Sequence, residues 1–291
     1  YNVDGSLDAT FGTDGLSTFS FGSSSGEMLN DIALQTDDKI VVVGYGGNTN
    51  NIVVARLNID GSLDYSFDND GKVSTPGMFG KGHSVAIQND GKIVVVGSCK
   101  TVPNPDYDIV LVRYNPDGSI DSSFDNDGIV IHRIVSYEDE GNDVIIQNDG
   151  KIIVAGITGS SHADFAIFRF DINGNLDNTF GNDGETVTSF GLQSSYAYSI
   201  SIQNDGKIVV AGNYGNLGPG QIKSFALARY TASLISKEKV QLHEEKAEDI
   251  IMKYNQKVYQ ILEKIKFDAE NLDYIGCDEV CLKQDPNEYN G

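Results

Sequence analysis

The feature that most constrains the fold of this chain is an internal repeat. A turn motif, Asp4-Gly5-Ser6-Leu7-Asp8 in its first copy, returns at 60–64, 117–121 and 173–177, with its glycines 56, 57 and 56 residues apart. A fixed period of this length is typical of architectures in which each repeat is one supersecondary unit stacked on the next. The sequence therefore predicts a repeat protein of four units.

Three further blocks recur in the same order in every copy. Each turn motif is followed by a Phe-to-Gly block, then by a Gln-to-Lys block that leads into an apolar run, and then by an arginine. The Phe-to-Gly blocks are 11–15, 67–71, 124–128 and 180–184, the Gln-to-Lys blocks are 35–39, 88–92, 147–151 and 203–207, and the arginines are Arg56, Arg113, Arg169 and Arg229. Four ordered blocks in four copies exclude a chance similarity.

Within one unit, four short apolar runs alternate with turn residues. In the second unit they are 72–76, 84–88, 92–97 and 109–114, each bounded by Gly, Asp or Asn as strands are. The Asn-Asp-Gly turn before Lys92 favours a tight hairpin, and Ile93–Val96 is apolar throughout, as in a strand covered on both faces. The pattern predicts an all-β fold of four-stranded antiparallel blades, a β-propeller-like repeat.

These motifs closely resemble the delta-60 repeat, over residues 1 to about 232. The resemblance implies a β-propeller of largely uncharacterised function, typical of large secreted or surface bacterial proteins, with no catalytic residues to carry over. Only four complete units are present, so a closed ring of four blades and an arc of a larger propeller both remain open.

We expect four segments along the chain: 1–15 as the end of a preceding repeat, 16–233 as the blades, 234–276 as an amphipathic helix and 277–291 as a flexible end. The tail has apolar residues at heptad-like spacing, so its helix, 236–272, is expected to cap the blades or to self-associate. Tyr1 opens on the interior of a repeat, so a signal peptide can be neither seen nor excluded.

The formal net charge of −21 argues against nucleic acid and anionic membranes as partners. No apolar stretch reaches the length of a membrane helix. An extracellular or cell-surface location is expected from the resemblance. The three cysteines, Cys99, Cys277 and Cys281, are too few for a disulfide scaffold, and the last two indicate a local disulfide or inert thiols.

The repeated acidic turns have two interpretations. Their carboxylates, in the third copy Asp117, Asp121, Asp125 and Asp127, could hold calcium, which prefers several oxygen ligands. The same residues are ordinary turn chemistry, in which Asp side chains accept hydrogen bonds from nearby amides. An arginine that occurs once per unit is expected to pair with a turn aspartate rather than with a ligand.

Residues that are identical in every unit build the blade, so an individual function is expected where the units differ. The variable loops carry four tyrosines that could form a ligand-binding face: Tyr107, Tyr196, Tyr198 and Tyr214. The four histidines occupy unrelated positions, and no nucleophile elbow, phosphate loop or zinc-protease motif occurs. We therefore predict a non-catalytic scaffold for binding or display of a protein or ligand, without a cofactor; the alternatives are a calcium- or glycan-binding propeller and an enzyme of unknown reaction.

Overall fold

The computed structural model describes residues 2–22, 26–47, 51–75, 79–101, 106–134, 139–159, 162–191, 193–215 and 224–231. The chain divides into two compact units, Tyr1–Ser236 and Lys237–Gly291. The second unit, with nearly all of the predicted helix and with Cys277 and Cys281, lies outside the described residues. Within the described residues no helix is long and apolar enough to cross a membrane.

The described residues form fifteen strands in four antiparallel sheets. The first sheet is β1 (Met28–Leu34), β2 (Ile40–Gly46), β3 (Asn51–Leu57) and β4 (Lys72–Ser74); the second is β5 (Phe79–Ile87), β6 (Ile93–Lys100), β7 (Tyr107–Tyr114) and β8 (Ile129–His132); the third is β9 (Glu140–Ile146), β10 (Ile152–Thr158), β11 (Asp164–Phe170) and β12 (Glu185–Thr188); the fourth is β13 (Ser195–Ile202), β14 (Ile208–Tyr214) and β15 (Ser224–Tyr230). Strands lie in each sheet in chain order. The predicted all-β, blade-like repeat is confirmed.

The sheets differ from the predicted units in phase by one strand. Residues 72–74 pair with β3, with Val54 opposite Val73, and so complete the first sheet rather than opening the second. The second sheet is completed by β8. The reason is the Asp-Gly loop, which reverses the chain after Arg56: the amide of Arg56 donates to Gly71 O at 3.0 Å and returns the chain beside β3.

The same phase determines which strand carries the repeated arginine. Arg56, Arg113 and Arg169 lie on β3, β7 and β11, the third strands, where a fourth strand covers them, and they are nearly buried. Arg229 lies on β15, which is the last strand of its sheet within the described residues, and it is exposed.

Each pair of neighbouring sheets encloses a separate apolar core. Successive residues of β6 point to opposite faces: Ile93 and Val95 pack in the core shared with the first sheet, and Val94 and Val96 in the core shared with the third. All four side chains are fully buried. The uninterrupted apolar run in this strand is therefore explained by burial on both faces, as predicted.

A second contact joins each unit to the next through the Asp-Gly turns. The amide of Asp68 donates to Asp117 O at 2.8 Å, and the amide of Asp125 donates to Asn173 O at 2.9 Å. Gly118 lies against the ring of Phe67 with a φ of +92°; a Cβ there would be 3.1 Å from the ring and 3.0 Å from the amide nitrogen of Asp68. The turns therefore require glycine for conformation and for close approach.

Gly118→Ala is expected to destabilise the protein more than Gly206→Ala. Both glycines have positive φ, +92° and +81°, but nothing lies within 4 Å of a Cβ at Gly206. The backbone strain of about 1 kcal/mol is common to both variants, so the difference between their unfolding free energies in urea reports the inter-unit contact. Equal losses would contradict stacking of the turns.

Candidate binding surface

The repeated arginine of each complete turn is bound by a carboxylate. Arg113 Nε donates to Asp121 Oδ2 at 2.7 Å, and Lys92 Nζ lies 3.0 Å from the same oxygen. Ser123 donates to Asp121 Oδ1 from its hydroxyl, at 2.7 Å, and from its amide. The Arg113 guanidinium stacks on the Phe124 ring at 4.4 Å. We call this group the turn cluster.

The same turn cluster forms in the flanking units. Asp64 is bound by Arg56 at 2.6 Å and by Lys39 at 2.9 Å. Asp177 is bound by Arg169 and Lys151, both at 2.8 Å. Burial raises the pKa of each of these aspartates, including Asp121, but the hydrogen bonds from lysine, from serine or threonine and the arginine charge outweigh it and hold the pKa well below its usual range. The carboxylates are therefore ionised at neutral pH.

Three of the four aspartates considered for calcium accept hydrogen bonds within their own turn. Asp117 Oδ1 accepts the hydroxyl and the amide of Ser119, and Asp127 Oδ1 accepts the amide of Ile129 at 2.9 Å. Asp121 belongs to the turn cluster, and Asp125 has a positive φ of 47°. No group of three or more potential metal ligands occurs in the described part of the chain.

The structure places the four predicted tyrosines on two different sheets. Tyr196 and Tyr198 stack on β13 with ring centroids 6.4 Å apart, and Tyr198 is half exposed. Tyr214 packs on Phe190 at 6.1 Å, beside the core between the third and fourth sheets. Tyr107 begins β7, two sheets away along the chain.

Around Tyr107 lies a cluster of aromatic rings and lysines. Lys100 Nζ is 4.3 Å from the centroid of the Tyr107 ring, and Lys81 Nζ lies between Tyr107 at 5.9 Å and Tyr45 at 5.5 Å. These four residues, the Tyr–Lys cluster, come from the ends of β2, β5, β6 and β7. Five other described lysines are paired with aspartate, namely Lys39, Lys72, Lys92, Lys151 and Lys207. Lys81 and Lys100 form no ion pair with a described residue.

A third feature lies on the first strands of the sheets, where the same β-bulge recurs. The register of β1, β5, β9 and β13 shifts at Asn30, His83, Asn142 and Tyr198. A bulge re-aims its side chain, and three of these reach a backbone carbonyl of the next sheet. Asn30 donates to Gly82 O at 2.7 Å, and Asn142 to Ala197 O at 2.8 Å.

His83 makes the equivalent contact from β5. Its Nδ1 lies 3.0 Å from Gly141 O, which only accepts, so Nδ1 carries the proton. Burial lowers the pKa of His83 and outweighs the opposing charge of Glu140. The neutral imidazole is therefore favoured, and in this position it joins two sheets.

Next to the bulges, a row of oxygens connects the first strands. Ser84 Oγ lies 2.8 Å from Asp31 Oδ2 and 2.8 Å from Asp143 Oδ1. Asp31 also accepts the amide of Val85, and Asp143 accepts the amide of Ile200, both at 2.8 Å. A serine hydroxyl has one proton, so it donates to one carboxylate at a time. The row links all four sheets.

Ser84→Ala is expected to lower the unfolding free energy by about 1–2 kcal/mol, because a buried hydrogen bond is lost and two carboxylates then face each other. Ser199→Ala is the matched control: Ser199 follows the bulge in β13 but is exposed. Ser199→Ala is expected to lower the unfolding free energy by less than about 0.5 kcal/mol. Thermal melting of both variants measures this, and equal effects would show that the row does not join the sheets.

Sequence reasoning missed the row and the Tyr–Lys cluster because it sought variation in loops. The row residues stand four positions before the repeated glutamines Gln35, Gln88, Gln147 and Gln203, and the bulge residues stand five before them. From the first unit to the fourth, the row position is Asp, Ser, Asp and Ser, and the bulge position is Asn, His, Asn and Tyr. Variation within a fixed strand position is the signal that would have found the row and the bulge residues.

Comparison with known proteins supports the fold. Four segments match a family model described as "Domain of unknown function (DUF5122) beta-propeller", at residues 35–67, 88–124, 147–180 and 203–233. No curated protein matches the sequence.

Among solved structures, the chain is similar to a protein of unknown function from Bacteroides caccae, with 11% identity, a TM-score of 0.39 and coverage of 72% of this chain and 62% of that one. It is also similar to a gluconolactonase from Xanthomonas campestris, with 14% identity, a TM-score of 0.38 and coverage of 76% of this chain and 64% of that one. A third similar structure is an endo-arabinase from Bacteroides thetaiotaomicron, with 12% identity, a TM-score of 0.41 and coverage of 73% of this chain and 79% of that one. The chain thus spans less than two thirds of the first two proteins. Similarities this distant carry no information about activity.

Proposed function

The chain belongs to a family of β-propeller repeats, and we propose that it is a non-catalytic propeller that binds an acidic ligand, with the Tyr–Lys cluster as part of the binding surface. The narrower identification as a delta-60 repeat, with an extracellular or cell-surface location, belongs to the same proposal. The single observation that carries it is the environment of Lys81 and Lys100, whose ammonium groups lie on tyrosine rings and form no ion pair with a described carboxylate.

The electrostatic setting makes this observation informative. The sequence has 42 Asp and Glu against 21 Lys and Arg, so carboxylate partners are abundant, and five described lysines have them. Lys81 and Lys100 are instead held by tyrosine, where cation–π attraction orients the ammonium without neutralising it. Two ammonium groups that form no ion pair with a described residue and lie 4–6 Å from aromatic rings favour a ligand that brings its own carboxylate or sulfate.

The ligand class we favour is an acidic saccharide. Its anionic group would contact Lys81 and Lys100, and tyrosine hydroxyls at Tyr45 and Tyr107 would donate or accept hydrogen bonds to ring hydroxyls. The acidic surface elsewhere repels long polyanions, so a short saccharide with one or two charges fits better than a densely charged polymer. A protein partner with an exposed acidic segment is the alternative.

The proposal is tested with an array of acidic and neutral oligosaccharides and acidic peptides, followed by titration of the best ligand. Lys100→Ala and Tyr107→Ala are each expected to weaken binding about tenfold, the effect of about 1.4 kcal/mol. Rising salt is expected to weaken it further. The control is Tyr65→Ala, a highly exposed tyrosine in the loop between β3 and β4, which should leave affinity unchanged.

Selective binding of neutral saccharides, or an affinity that neither Lys100→Ala nor Tyr107→Ala alters, would contradict the proposal. If only acidic peptides bind, the Tyr–Lys cluster would remain the binding surface, but its ligand would be an acidic protein segment rather than a saccharide. Turnover of any bound saccharide would replace the non-catalytic assignment with an enzyme.

A further inference from the structure

The first and fourth sheets each have one exposed apolar face. The equivalent faces of the other sheets are buried against a neighbouring sheet. Ile32 in β1 is 60% exposed, whereas its equivalent in β5, Val85, is 6% exposed and packs against the preceding sheet. At the other end, Leu227 in β15 is 65% exposed, whereas its equivalent in β7, Leu111, is fully buried. Phe225 is 95% exposed. Apolar faces of this kind mark interaction sites.

The Asp-Gly turns show the same mismatch. The turn at 60–64 packs its Gly61 on Phe11, and Gly118 packs on Phe67. The turn at 4–8 has no such neighbour among the described residues, because none of their atoms lies within 4 Å of a Cβ at Gly5. Conversely, Phe180 lines a cavity of about 320 Å³ with Arg229, at the place where a following turn would pack.

The turn cluster is also divided between the two ends. Arg229 and Lys207 are the equivalents of Arg113 and Lys92, but the turn aspartate at the position of Asp121 is absent, because the residue eight positions after Arg229 is a lysine. Asp8 is the equivalent of Asp121; it is partly exposed, and among the described residues its carboxylate accepts hydrogen bonds only from the amide and hydroxyl of Thr10. One end has the cations and the other has the carboxylate.

We propose that copies of this chain associate head to tail, with residues 2–19 and the exposed face of β1 of one copy docking on β15, Phe180 and the Lys207–Arg229 pair of another. The contact continues the interface that already joins the sheets within one chain. It buries Ile32 against Leu227 and Phe225, places Gly5 on Phe180 and completes a turn cluster with Asp8. It is independent of the Tyr–Lys cluster.

A second copy is the favoured occupant because the two surfaces are complementary and both remain exposed in the described part of one chain. No described atom lies within 4 Å of a Cβ at Gly5, Ile32 and Leu227 are exposed, and β15 has one paired edge, to β14, within the described residues. A head-to-tail contact is heterologous, so it produces either a closed ring or a growing chain of copies.

The test uses the full chain in sedimentation equilibrium across a hundredfold range of concentration. The wild type is expected to exceed the monomer mass of 31.5 kDa increasingly as concentration rises. Ile32→Asp blocks the head and Leu227→Asp blocks the tail; each side chain is exposed in one copy, so each variant should fold and remain a monomer. A 1:1 mixture of the two keeps one intact head and one intact tail and should form a heterodimer.

Ile131→Asp, an exposed isoleucine on the outer strand of the central second sheet, is the control and should associate like the wild type. A monomeric wild type would overturn the proposal, as would a mixture that does not dimerise. Ile32→Asp that stays at the wild-type mass but lowers the melting temperature would overturn it in favour of contact between the two ends of the same chain.

Discussion

The turn aspartate is the residue on which the rest of the structure depends. In each complete unit its carboxylate binds an arginine from the third strand, a lysine from the hairpin between the first and second strands and a hydroxyl two residues further along the chain. These bonds fix the Asp-Gly loop, and the fixed loop returns the chain beside the third strand and presents glycine to the phenylalanine of the preceding unit. Because the arginine is nearly buried, the pair must be complete: a buried charge without its partner is costly.

The interior of the repeat array and its surface chemistry are set by different positions. Positions that keep the same kind of residue from unit to unit form the turn clusters and the shared cores. The bulges, the oxygen row and the Tyr–Lys cluster use positions where the units differ, so each pair of sheets has its own connection: asparagine between the first two, histidine between the next two, asparagine again to the last. The bulge residue in the fourth sheet, Tyr198, is left half exposed.

Much of the fold could be predicted from the sequence because the repeat makes each motif visible four times. The Asn-Asp-Gly hairpins were found from turn chemistry, and Gly91 has the expected positive φ of 83°. The phase of the sheets could not be read, because strand pairing depends on the loop conformation that the turn aspartate imposes, and residues 72–74 pattern equally well with either neighbour. The Tyr–Lys cluster could not be found either, since Lys81, Lys100 and Tyr107 are brought together only by pairing of three strands.

The most direct test of this account is a double-mutant cycle on one turn cluster, using Arg113→Met, Asp121→Leu and the two together, with unfolding free energies from urea. The account predicts that Asp121→Leu costs about 3–5 kcal/mol, since it leaves the buried Arg113 without its partner, and that Arg113→Met costs less, since Asp121 keeps Lys92 and Ser123. It also predicts that the double variant loses at least about 1 kcal/mol less than the sum of the two. Strictly additive losses, or single losses below about 0.5 kcal/mol, would show that the cluster does not hold the turns and that the sheets depend on their apolar cores alone.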